Sequence, residues 1–160
     1  MRWMSISGFL SPSSGRSIAG LVSALLLSAC AQVQPTVAAD YIGALRCVKC
    51  HAAQYDGWQK TRHASAMASL ERESQSESTS CLPCHVTGYD APMGYLDMNA
   101  TPELAGVQCE SCHGPASAHL KNPEQVRTMV PRPGVDSCRK CHTPEQDSAF
   151  DYENMSKKVH

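Results

Sequence analysis

Apolar positions along this 160-residue chain fall into one long block and several short, periodic ones. The block runs from Ile18 to Ala29, 12 residues without a charge, behind Arg2 and Arg16. That is short of the ~20 residues a bilayer-crossing helix needs. A basic region followed by such a stretch predicts a secretory signal peptide. From Cys50 to about Leu70, Ala52, Ala53, Trp58, Ala64, Met67 and Ala68 recur at helical spacing around a single Gly57, and predict a helix. Residues 71–80 are polar and low in complexity, a solvated loop. Gly88, Pro92, Gly94, Pro102 and Gly106 make residues 86–106 turn-rich. Gly114-Pro115 breaks the chain ahead of a short helix over Ala116 to Leu120. Pro123, Pro131, Pro133 and Gly134 make the next connection irregular, and Phe150 to His160 predicts a C-terminal helix. The expected fold is mainly α with extensive irregular loop and little strand.

Four segments change this picture: Cys47-Val48-Lys49-Cys50-His51, Cys81-Leu82-Pro83-Cys84-His85, Cys109-Glu110-Ser111-Cys112-His113 and Cys138-Arg139-Lys140-Cys141-His142. Cys-x-x-Cys-His reads as c-type heme attachment. Two thiols form thioethers with the heme vinyl groups, and the histidine is placed under the iron as its proximal ligand. Paired Cys-x-x-Cys elements can also form a zinc ribbon. Zinc has no need of a histidine after every second cysteine, and disulfides fail on the same point. Four heme c groups are therefore expected, on Cys47, Cys50, Cys81, Cys84, Cys109, Cys112, Cys138 and Cys141, with His51, His85, His113 and His142 proximal.

The motifs use eight of nine cysteines. The ninth, Cys30, ends Leu27-Ser28-Ala29-Cys30, which resembles a bacterial lipobox. Cleavage before Cys30 and lipidation of its sulfur are the favoured reading, with ordinary cleavage after Ala38 or Ala39 as the alternative. The expected organisation is a lipoprotein signal peptide over 1–29, a lipidated tether over 30–40 and a tetraheme domain over 41–160. Export fits covalent heme, which is attached outside the cytoplasm. Acyl chains would anchor the protein to a membrane at ~0.8 kcal/mol per buried CH2. Ala31 favours the outer membrane, facing the periplasm of a Gram-negative bacterium.

The mature chain leaves about 33 residues per heme, too little apolar sequence for an independent core around four porphyrins. The hemes are expected to be the core, stacked on one another with the chain as a coat, and the apo-protein to be largely unfolded. From Cys30 onward the chain has 12 Lys plus Arg against 15 Asp plus Glu, a net charge of −3. Nothing suggests nucleic acid. An acidic carrier would favour redox protein partners with a basic docking face.

Of seven histidines, three are outside the motifs: His63, His119 and His160. A neutral imidazole is a good second axial ligand, so all three are candidate distal ligands. Three for four irons leaves one short. His63 lies 12 residues after His51, ~18 Å along a helix, and should serve a neighbouring heme. His119, past the Gly-Pro break, likewise. His160 is a ligand or a frayed terminus. The remaining iron is five-coordinate or takes Met67, Met93, Met98, Met129 or Met155. Trp58 and Tyr55 are expected on porphyrin faces.

Flanking residues carry a resemblance. Tyr41-Ile42-Gly43 precedes the first motif, and Gln54, Trp58 and His63-Ala64 follow it. Cys84-His85-Val86-Thr87-Gly88-Tyr89 comes next, then Gly106-Val107-Gln108 leading into the third motif and Gly114-Pro115 with His119. Phe150-Asp151-Tyr152 and the terminal Lys-Lys-Val-His close the chain. Together these resemble the tetraheme cytochrome c-554 family, known from ammonia oxidisers as the electron acceptor of hydroxylamine oxidoreductase. The resemblance implies closely stacked heme pairs, three bis-histidine irons and one five-coordinate iron, the second in chain order, on His85. It also implies that His160 is a ligand. The lipid site is a departure from a freely diffusing carrier.

Electron transfer between periplasmic or membrane partners is the leading expectation, and no catalytic residue is assigned. The alternatives are binding or reduction of nitric oxide (NO) at the heme on His85, and a heme wire in which one subunit supplies a ligand to the next.

Overall fold

A computed structural model describes residues 39–124 and 128–160. The expected signal peptide, the lipid site at Cys30 and most of the tether lie outside these residues.

Seven short α-helices are described: α1 (Ala52–Gln59), α2 (Ala66–Arg72), α3 (Leu82–His85), α4 (Cys109–His113), α5 (Ser117–Lys121), α6 (Val135–Arg139) and α7 (Tyr152–Met155). Single 3-10 turns lie over Ala44–Arg46, Pro102–Leu104 and Ser156–Lys158. Among the described residues extended pairing is limited to one antiparallel bridge, Val86 to Ala105. The mainly α, loop-rich architecture is the expected one, and none of these helices is long and apolar enough to cross a membrane.

The single helix expected from Cys50 to about Leu70 is instead two, α1 and α2, with turns between them. The reason is long-range. Trp58 Nε1 donates to Val107 O at 2.8 Å, and Val107 N donates to His63 O at 3.0 Å. Thr61 N and Oγ1 both bond back to Trp58 O, at 2.9 and 2.7 Å. Gly106 has φ +89°, and a Cβ there would stand 3.0 Å from Ala64 O. The segment 106–107 thus takes over backbone groups that a continuous helix would have used, and this outweighs local periodicity.

A small apolar core exists beside the heme motifs. Met67, Leu70, Leu82, Val86, Tyr95 and Leu104 form a buried cluster, with Tyr41, Cys81, Tyr89 and Ala105 packed on it. It joins α2 to α3 and to the 86–106 loop. That loop is closed by Thr87 N to Leu104 O (2.9 Å) and Tyr95 N to Thr87 O (3.1 Å). The second motif therefore rests on protein packing.

Next to this core is a buried polar hub of Thr87, Gln108 and Glu110. The Glu110 carboxylate, 1% exposed, accepts from the backbone N–H groups of Ile42, Gly43 and Ala116 at 2.8–3.1 Å. Gln108 Oε1 accepts from Ala44 N at 2.6 Å, and its Nε2 donates to Glu103 O and Ala105 O. Thr87 Oγ1 donates to Gly106 O and accepts from Gln108 N. Buried polar groups need such partners. Here they fasten the segment before the first motif, the 86–106 loop and the third motif to one another.

Candidate heme sites

Each Cys-x-x-Cys-His motif folds as one helical turn. In the first and fourth motifs the histidine N–H bonds to the carbonyl of the first cysteine: His51 N to Cys47 O and His142 N to Cys138 O, both 2.9 Å. The second and third motifs form α3 and α4. Residues three and four apart share a helix face, so two sulfurs and an imidazole are presented on one side. That is the layout a heme edge and its iron require. A zinc site would gather about four such ligands at one point instead. Among the described residues no group of three or more His, Cys, Asp or Glu converges on one point, and the eight cysteines are free.

The histidines converge in pairs. His51 faces His119 with ring centroids 6.4 Å apart, His63 faces His142 at 6.0 Å, and His113 faces His160 at 6.1 Å. Flat imidazole contact would bring the rings much closer. A metal–imidazole bond is about 2.0 Å, and the ring centre is a further ~1.1 Å from the ligating nitrogen, so one iron between two imidazoles needs about 6.2 Å. The six rings thus fit three irons. The planes are inclined at 29° in the first and third of these pairs and at 72° in His63–His142. His63 is not near-stacked with His51, and each spare histidine meets a proximal histidine far from it in sequence. The seventh histidine, His85, has no imidazole across from it.

Nδ1 contacts fix how the proximal rings point. His85 Nδ1 lies 2.8 Å from Ala66 O and 3.3 Å from Ser69 Oγ, His113 Nδ1 is 2.6 Å from Val130 O, and His142 Nδ1 is 2.8 Å from Asp147 Oδ2. A carbonyl or carboxylate acceptor places the proton on Nδ1 and frees Nε2 for metal, the usual support of a ligating histidine. Burial, and then the neighbouring His142, push the His63 pKa below its ordinary value, which favours the neutral imidazole that binds iron.

The thiols describe which motifs are neighbours. The neighbouring Cys109 thiol raises the pKa of Cys47, and Cys47 in turn holds Cys109 down at about 7. Burial, then a hydrogen bond with Cys84, push Cys141 up to about 12. Cys112 is raised by burial and then by Cys138 and Cys109. Electrostatic influence between thiols therefore links the first motif to the third, the third to the fourth and the fourth to the second.

The model of the family described as cytochrome c554 and c-prime matches residues 46–114, spanning three of the four motifs. A cytochrome c-554 of Nitrosomonas europaea is 35% identical over 111 residues, 60% of this chain and 47% of that protein. The chain thus spans about half the length of that curated relative. The solved structure of reduced cytochrome c554 from the same species superposes with a TM-score of 0.59 at 27% identity, covering 76% of this chain and 84% of that one. Over these residues the chain is similar to the cytochrome c554 family. These similarities support a complement of four heme c.

Sequence reasoning did not single out Glu110 for a role, nor Gln108, Ser69 or Asp147. Asp147 carried a usable signal, an acid five residues after a proximal histidine. Glu110 carried none, because its partners are 67–68 residues away on one side.

Proposed function

We propose that this protein is an exported electron carrier whose four hemes are held by three bis-histidine sites and one site with an open face. The carrying observation is the pairing of six histidines at 6.0–6.4 Å while His85 stands without a second imidazole. In this reading His51 and His119 hold the first heme, His113 and His160 the third, and His142 and His63 the fourth. Heme iron supplies one-electron exchange between ferric and ferrous states. The chain's own residues hold the axial rings and fix their tautomers. Tightly held ligands in both oxidation states keep reorganisation small, as suits a carrier.

The electrostatic links between thiols support an order of neighbours running first, third, fourth, second. Redox proteins would be the donor and acceptor, and the resemblance favours a periplasmic setting. Lipidation at Cys30 would tether the domain to a membrane, the outer one favoured by Ala31. Mass spectrometry of the purified protein tests this part. A diacylated cysteine at the mature N-terminus supports it, and an unmodified N-terminus beyond residue 30 refutes it.

The function is tested by coulometric titration of the holo-protein followed by stopped-flow oxidation with ferricyanide. Four electrons per chain, released stoichiometrically, support a carrier. Fewer than four would refute the assignment.

His85 favours a second reading, in which NO binds the open face of its heme. Reduced protein mixed with NO would then give one nitrosyl heme in four. Saturable, NO-dependent oxidation would make it an enzyme, and a single stoichiometric turnover would leave it a carrier. The placement of His160 against His113 of its own chain weighs against a wire that borrows this ligand from a neighbour.

A further inference from the structure

The proximal histidines are not supported alike. His85 and His113 each meet a neutral backbone carbonyl, that of Ala66 or Val130, whereas His142 meets the carboxylate of Asp147 at 2.8 Å. The backbone that carries this carboxylate is held from both sides in sequence. Asp147 N donates to Thr143 O at 2.8 Å, and Phe150 N donates to Asp147 O at 3.1 Å. The Phe150 ring stacks on the His142 ring at 4.6 Å and 21°, so the imidazole has little freedom to turn away from Asp147. Both side chains of the pair are about one-third exposed, at 32% and 30%, so the charge is partly screened but not abolished.

Resting on the ligation proposed above, we propose that Asp147 is a positioning residue that lowers the reduction potential of the fourth heme. A full negative charge accepting the Nδ1 proton draws that proton toward oxygen and gives the ring imidazolate character. A more electron-rich imidazole stabilises ferric over ferrous iron. A carbonyl, holding only a partial charge, does so less. The third and fourth sites share a His–iron–His ligand set, so Asp147 against Val130 O is a difference that separates them. The fold thereby places a graded step where the third and fourth motifs adjoin.

The test uses holo-protein and Asp147→Asn, which keeps an oxygen near Nδ1 and removes the charge. The near-perpendicular rings of His63 and His142 give this heme a strongly anisotropic low-spin resonance, distinct from the rhombic signals of rings inclined at 29°. Redox titration followed by electron paramagnetic resonance therefore reads this heme by itself. The expected result is a shift of its ferric-to-ferrous equilibrium toward ferrous by about tenfold, or 59 mV for one electron, with the other three hemes nearly unmoved. Asp147→Ala should shift it in the same direction.

An unchanged or lowered potential in both variants overturns the proposal, as does an equal shift of all four hemes, which would report net charge alone. Loss of the low-spin signal in both would show that Asp147 only holds the ligand in place, and also overturns it. His63→Ala tests the ligation separately. That variant should abolish the anisotropic signal, and its survival would refute the pairing rather than the role of Asp147.

Discussion

Replacing Glu110 with alanine should unfasten the first and third motifs from each other. Its carboxylate accepts from Gly43 N and Ala116 N, both buried bonds of 2.8 Å, and from Ile42 N at 3.0–3.1 Å in a partly buried setting. Truncation leaves three N–H groups without an acceptor. Each buried orphan costs ~1–3 kcal/mol, so two full penalties and a reduced third give about 3–6 kcal/mol. That is a large part of the ~5–15 kcal/mol typical of a domain. Glu110→Gln keeps one oxygen and loses the charge, and should cost about 1–3 kcal/mol. The assay is guanidinium unfolding of the holo-protein by far-ultraviolet circular dichroism, with covalent hemes retained in every variant. Midpoints should fall in the order parent, Gln, Ala at a similar slope. If Glu110→Ala lies within ~1 kcal/mol of the parent, the carboxylate is not the fastening the geometry implies.

Gly57 sits inside α1, where alanine would ordinarily stabilise by ~0.5–1 kcal/mol. A Cβ there would stand 3.0 Å from His160 Cα. Gly57→Ala should therefore displace the terminus and convert part of the third heme to high spin; an unchanged spectrum with higher thermal stability would contradict this. His119→Ala should convert one low-spin iron to high spin, and added imidazole should restore it. Failure of imidazole to do so would point to collapse of the site rather than a missing ligand. Trp58→Phe removes the bond to Val107 O at 2.8 Å and some buried volume. It should lower stability by about 1–3 kcal/mol in the same guanidinium assay without changing the spin states.

What was legible in the sequence is what a single helical turn encodes. Cysteines three apart with a histidine next present one face wherever the chain goes, so the four motifs and the helical turn each one forms could be read directly. The loop-rich, strand-poor fold followed from Gly and Pro placement and from the small amount of apolar sequence. Which distal histidine meets which motif was not legible, because His119 reaches His51 through contacts of Glu110 and of Asp40 with Ser117 that set distant segments side by side. The break between α1 and α2 was hidden for the same reason. Periodicity continues through residues 60–65, while Val107 and Gly106, more than 40 residues on, take the backbone elsewhere. A small protein core around Leu104 was also missed, since the residues of the 86–106 loop look like turn chemistry until the loop closes.

The central claim is that six histidines form three axial pairs and leave His85 alone. Electron paramagnetic resonance of the fully oxidised protein tests it most directly. The account predicts three low-spin irons, two rhombic and one strongly anisotropic, and one high-spin iron per chain. Four low-spin irons would contradict it, because His85 would then have a partner that the fold does not provide among its histidines.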